Sequence, residues 1–304
     1  MALLDFILNL VGLLLWFNWR AARFDPLSQF TPATLAGTLR RAEKSRLSRW
    51  HLPFGLLALL LLRVPIYILF GRQLNWVGSV DVGVISLFFK ANAPSYIPML
   101  LYSFYSFGVA LTVFLLWILF LSILKSGASE NDSLRQILRL HLGWFESSPT
   151  ILKLLLPFIG VSLLWYAASW PLTYWEILPA PTTTWQRIQH ALLVGAGSYL
   201  AWKPLIIGLL ALYFVNCYVY FGRHPFWQHL NVLGKHLLAP LRFLPLRLGK
   251  IDFAPLVGIA LVLLLAVVIE HGVALPGGKD ENGRPKPRRF EIPGLIDLYR
   301  QTSG

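Results

Sequence analysis

A chain of 304 residues in which 56% are hydrophobic and only 13% are charged departs from soluble domains, where about a quarter of residues are charged. That deficit, with a positive mean hydropathy, excludes an ordinary soluble domain and selects an integral membrane protein. A net charge of +13 would point to nucleic acid in a soluble chain. In a membrane chain basic residues gather in the loops beside anionic lipid, so no direct nucleic-acid partner is expected and the placement of the charge becomes informative.

A helix crosses the hydrocarbon core with about 20 apolar residues. The first apolar run, 3–19, is short and contains Asp5 and Asn9; it is open between crossing the bilayer and lying in the interface. A cleaved signal peptide is disfavoured because no basic residue precedes the run, whereas Arg20 and Arg23 follow it. The segments 53–71, 98–124, 150–170, 191–220 and 254–271 are each apolar enough to span. The expected fold is therefore all-α, a polytopic transmembrane bundle of about five or six spanning helices, accompanied by cytoplasmic amphipathic interfacial helices.

Lys and Arg divide unevenly among the connections. Segments 18–52, 125–149 and 221–253 hold 15 of them, and segments 72–97 and 171–190 hold only Arg72, Lys90 and Arg187. The positive-inside rule puts the first set in the cytoplasm and, with six crossings, both termini outside. The tail strains this topology with six more Lys and Arg residues in 273–304. Its Gly277-Gly278 pair and Pro-rich run read as a flexible extension, ending in a stretch, 290–300, suited to docking back on the protein or the membrane.

Two cytoplasmic segments are amphipathic. Phe226, Leu230, Leu233 and Leu237 recur along one face of 224–240, and Leu134, Ile137, Leu138, His141 and Phe145 form a stripe in 133–146. Basic helices of this kind commonly lie on lipid surfaces; the alternative is an ordinary cytoplasmic helix packed on the bundle. The order of long apolar helix, amphipathic helix and second apolar helix occurs twice, which divides the chain into an N-terminal membrane region (1–97), a first unit (98–170), a second unit (171–272) and the tail (273–304).

The most specific stretch is 224–258. Pro225 opens an amphipathic helix; Pro240 and Arg242 follow it; then Pro245, Gly249, Ile251, Asp252 and Pro255 lead into the last apolar helix. Asp252 carries an acceptor suited to capping free backbone N–H groups, and Pro255 fits the first turn. These eight residues resemble the signature of the YggT (YlmG) family of membrane proteins, with Lys250 and Ala254 standing where that family usually has Gly and Ser. The resemblance covers about 35 residues, and the repeated architecture extends it loosely over 98–271. It implies a membrane protein linked to division, envelope organisation or cytochrome assembly.

Ionisable side chains within the apolar runs are the other candidates for chemistry. Arg63 lies in the middle of 53–71 and Lys203 near the middle of 191–220. Ionisable groups at such depth are costly and often functional, but they also snorkel or pair with a buried acid; Asp5, Asp252 and Glu270 lie near segment ends, so no partner is evident. Lys153, close to a helix end, reads as a snorkelling residue. His224, His229 and His236 are spaced by five and seven, which does not suit a metal site on one helix. The single cysteine, Cys217, reads as lipid-facing or packing. No catalytic triad, carboxylate pair, P-loop or metal motif is visible, so no enzyme, metal or cofactor is expected. The reading is an inner-membrane protein whose partners are the bilayer, especially anionic lipid on the cytoplasmic face, and other membrane proteins. The alternative is a small transporter or channel using Arg63 and Lys203.

Overall fold

The structure is a computed structural model that describes residues 1–24, 51–91, 96–124, 138, 140–219, 225–241, 243, 246–248, 251–275 and 290–303. It is an all-α membrane bundle. The described residues include six helical stretches long and apolar enough to cross a bilayer: Ala2–Ala21, His51–Gln73, Ile97–Leu124, Thr150–Tyr174, Thr184–Tyr218 and Ala254–His271. The run 3–19 is thus long enough to span once its helix is extended to both sides. Most of segment 18–52, most of 125–137 and the run 276–289 lie outside the described residues.

Contacts divide the chain into two units. The first comprises Met1–Val80, Leu87–Ile118 and Ser129–Ser147; the second comprises Asp81–Ser86, Leu119–Ala128 and Ser148–Gly304. This grouping differs from the one expected from sequence, which keeps 98–124 together with 150–170.

In the first unit, α1 (Ala2–Phe24) packs against α2 (His51–Gln73). A β-hairpin follows, β1 (Val77–Asp81) and β2 (Ser86–Lys90), before α3 (Ile97–Leu124). Alternate strand residues are buried, among them Val80, Leu87 and Phe89, as expected for a ribbon with one face on a core. Gly78 brings the ribbon against the Tyr102 ring; a Cβ there would stand 2.8 Å from it. Segment 72–97, expected as a plain connection, is corrected by this hairpin. Only the end of the amphipathic segment 133–146 is described, as a helical turn at 140–142 followed by a 3-10 helix, Gly143–Ser147.

In the second unit, α4 (Thr150–Tyr174) lies against α5 (Thr184–Gly197). A 3-10 turn, Ser198–Ala201, joins α5 to α6 (Trp202–Tyr218). The segment expected as one span, 191–220, is therefore part of a 35-residue helical stretch, about 50 Å long if straight and well over the hydrocarbon thickness. The 3-10 turn separates its two packing environments: α5 meets α4, whereas α6 meets α7 (Pro225–Leu237) and α8 (Ala254–His271). Close approach of α4 and α5 depends on Gly195, where a Cβ would collide with Ser162 Oγ and lie 2.7 Å from Phe158 O.

The tail is not simply an extension. β5 (Gly272–Leu275) pairs antiparallel with β6 (Phe290–Pro293), and α9 (Leu295–Ser303) packs on α5 and α8. Gly272, at φ +74°, and Gly294 allow the two chain segments to touch where the ribbon begins. The stretch 290–300 therefore docks back on the protein, one of the two outcomes expected for it.

Candidate functional site

The most polar intramembrane cluster is built on three helices of the first unit. Asp5 and Asn9 lie one turn apart on α1, and the Asn9 amide donates to Asp5 Oδ2 at 3.2 Å. From α2, Arg63 donates through Nη1 to Asn9 Oδ1 at 2.8 Å. One turn on, Tyr67 donates its hydroxyl to Asp5 Oδ1 at 2.6 Å. From α3, Ser106 donates to Asp5 Oδ2 at 2.8 Å and accepts from the Asn9 amide at 2.8 Å. Tyr67, Trp76 and Tyr102 pack edge-on or tilted around it, with ring centroids 5.1–5.7 Å apart.

Arg63 is 0% exposed. The expectation that it has no evident acid partner is corrected: its charge reaches Asp5 through Asn9. A helix end supplies the acid because antiparallel packing brings the start of α1 beside the second half of α2. Two guanidinium nitrogens, Nε and Nη2, are buried without a hydrogen-bond partner. An apolar cleft of about 340 Å³ lies alongside, lined by Leu61, Val64, Pro65, Tyr96, Ile97 and Leu100; Arg63 is not one of its walls.

Lys203 in the second unit is likewise paired. Its Nζ lies 2.6 Å from Glu270 Oε1, with the two side chains about one-third and one-fifth exposed. Glu270 is the penultimate residue of α8, so Lys203 stands level with the end of that span. The expectation that Lys203 has no evident acid partner is corrected by this pair.

Lys153 also departs from expectation. It does not snorkel: its side chain is buried and donates to Ser122 Oγ at 3.0 Å, and no acid pairs with it among the described residues. Ser122 in the last turn of α3 and Lys153 in the first turn of α4 come together where one helix ends and the next begins.

The signature stretch forms a joint. Pro225 begins α7 and Pro240 sits in a 3-10 turn, Ala239–Leu241. Ile251 pairs with Leu248, and Asp252 with Arg247, in a short antiparallel ladder. The Asp252 N–H donates to the Tyr218 hydroxyl at 2.8 Å, and Phe253 N–H to Leu246 O at 3.1 Å. Asp252 Oδ1 accepts from Ala254 N–H at 3.0 Å, one residue before the helix cap, and Pro255 is buried in the first turn. Arg242, Pro245 and Gly249 lie outside the described residues, as does His224.

On α7, Leu230 and Leu233 are buried while Phe226 and Val232 remain half exposed. Asn231 on this helix accepts from the Asn216 amide at 2.8 Å. Cys217 is exposed on α6. Among the described residues no group of three or more His, Cys, Asp or Glu side chains is placed to hold a metal ion.

No model of a known protein family, no curated protein and no solved structure matches the chain.

Three side chains stand out in the structure but not in the sequence. His190, buried on α5, faces the Tyr299 ring of α9 at 4.5 Å. Nearby, Gln186 donates to Thr302 O. His141 is enclosed by Trp16, Phe17 and Phe114; the sequence shows it only as part of a stripe, and the aromatic spacing on α1 is the one signal that could have singled it out.

Proposed function

We propose that this chain is a non-catalytic inner-membrane protein of the YggT type that organises or assembles other membrane components. The observation that carries the reading is that Arg63, Lys203 and Lys153, cations within the apolar helices, are each engaged by the chain's own side chains, Arg63 through Asn9, Lys203 by Glu270 and Lys153 by Ser122. Charges satisfied in this way hold helices together and are not displayed to a passing solute. The joint at Asp252 supports the YggT resemblance by making the signature residues structural. In this reading the basic segments 18–52, 125–149 and 221–253 face the cytoplasm. α7 rests on anionic lipid through Phe226 and Val232, which are exposed in the fold.

The rival reading is a small transporter or channel. The observation on its side is the pair of unpartnered Arg63 donors. Gentle detergent extraction followed by identification of co-purifying membrane proteins tests the assembly role, with a stoichiometric, reproducible partner as the expected result. A purified chain that alone moves solute across liposomes, and stops when Arg63→Leu is introduced, would replace the scaffold with the transporter.

A further inference from the structure

Among the described residues His141 is an imidazole in an environment that suits only its neutral form. Its ring is stacked on Trp16, with centroids 5.6 Å apart and planes at 25°. Phe17 meets it edge-on at 4.2 Å and Phe114 at 5.9 Å. It is 4% exposed, and neither Nδ1 nor Nε2 has a hydrogen-bond partner. Arg20, one turn along α1 from Trp16, donates Nε to Leu140 O at 3.0 Å and Nη2 to His141 O at 2.9 Å. The cation that anchors the backbone of this turn thus lies beside its imidazole.

A neutral ring fits such a box through dispersion and stacking. An imidazolium does not, because it would be a buried charge with no acceptor. Among the described residues the charged groups around it offer no relief. From α1 comes Arg20, a like charge. From α3, residues 110–118 carry no ionisable side chain. Glu146 is the acid of its own 3-10 turn, yet Arg20 is the group whose charge acts on the imidazole, and it opposes protonation.

We propose that His141 is an acid-sensitive latch: neutral, it seats the turn 140–147 on α1, and protonated, it leaves the aromatic box and the turn separates from the helix. Burial first, and Arg20 second, push the docked imidazole down from its ordinary 6.5 to about 4. A released imidazole returns to the ordinary value. The released form therefore binds the extra proton between these limits, so docking is at full strength above about pH 6.5 and weakens as pH falls toward 4. Acid would thereby uncover Trp16, Phe17 and Phe114 together, an aromatic surface of the type found at membrane interfaces.

The test is a distance measurement on the full chain in lipid nanodiscs. Nitroxides are placed at Asn18→Cys and Ser147→Cys in a Cys217→Ala background, and samples are frozen at a series of pH values from 7.5 down to about 4, the range set by the shift from the ordinary histidine value. The expected result is a narrow distance distribution at neutral pH that is lost to a broad, longer one in acid. His141→Phe, which fills the box and cannot charge, should keep the narrow distribution throughout; His141→Leu, equally unable to charge, should do the same and takes its place if the Phe variant does not fold. The proposal is overturned if the unsubstituted turn stays narrow down to the lowest pH. It is equally overturned if the uncharged variants broaden in the same way, or if the acid change is accompanied by loss of the helical circular-dichroism signal.

Discussion

Arg63 and Asp5 are joined through Asn9, whose amide oxygen accepts a hydrogen bond from the guanidinium at 2.8 Å while its NH2 donates to the carboxylate at 3.2 Å. The small neutral residue is therefore more critical than either charge. Asn9→Leu leaves a fully buried guanidinium with no polar partner, a change worth about 3–5 kcal/mol. Arg63→Leu removes the charge itself and strands only an amide oxygen, about 1–3 kcal/mol. Thermal unfolding in detergent should rank Asn9→Leu below Arg63→Leu, with Arg72→Leu close to the unsubstituted protein. The reverse order of the first two would mean that the network does not run through Asn9.

Lys203 and Glu270 present a weaker pair, because both side chains retain solvent access. Screening holds such a pair to about 1 kcal/mol or less. Either single reversal, Lys203→Glu or Glu270→Lys, should lower stability modestly, and the double exchange should recover it. Unchanged stability in all three would leave the contact without energetic weight.

At the joint, Asp252→Ala removes the acceptor for Ala254 N–H. Loss of one hydrogen bond of this kind costs about 0.5–1.5 kcal/mol, and Asp252→Asn or Asp252→Ser keeps an acceptor in place. Stability should fall for Ala and hold for the other two. An Asn variant that stays stable but loses partner binding would show that the carboxylate has a chemical role besides capping.

Gly195→Ala introduces a Cβ into the Phe158 carbonyl and the Ser162 hydroxyl, an overpacking of about 1–3 kcal/mol. Gly208, on α6, has open space around its missing Cβ, and Ala there should be neutral or stabilising by up to about 1 kcal/mol. Ser162→Gly should rescue Gly195→Ala only in part, since the backbone carbonyl remains. Full rescue would show that the hydroxyl alone sets the helix spacing.

The spanning helices are legible in the sequence because a membrane crossing needs a long apolar run, which composition along the chain displays directly. The partners of the buried charges are not, because they depend on which helices touch: Asp5 stands near a chain end, far from Arg63 in sequence, and an asparagine gives no sign of linking them. Lys153 misleads because snorkelling is the default near a helix end, and a serine in the preceding helix is an inconspicuous alternative. The hairpin at 77–90 is legible in principle. Val80, Leu87 and Phe89 alternate inward with a period of two, around a turn with Gly83 at φ +71°, and a search for helices alone passes over that pattern.

The return of the C-terminal segment bears on how the second unit is assembled. Gln186 and Thr302, which bond across α5 and α9, are 116 residues apart. At synthesis rates of about 5–20 residues per second, α5 is made many seconds before the helix that covers His190. The ribbon of β5 and β6 shortens the search that follows. Pairing of Leu275 with Phe290 closes only the 14 residues between the strands and tethers α9 beside the end of α8. Closing that short connection first costs about 2 kcal/mol less loop entropy than closing the full separation of Gln186 and Thr302 in one step. The two strands therefore act as a nucleus for the last docking step, and weakening the ribbon should slow maturation of the second unit more than it lowers its final stability.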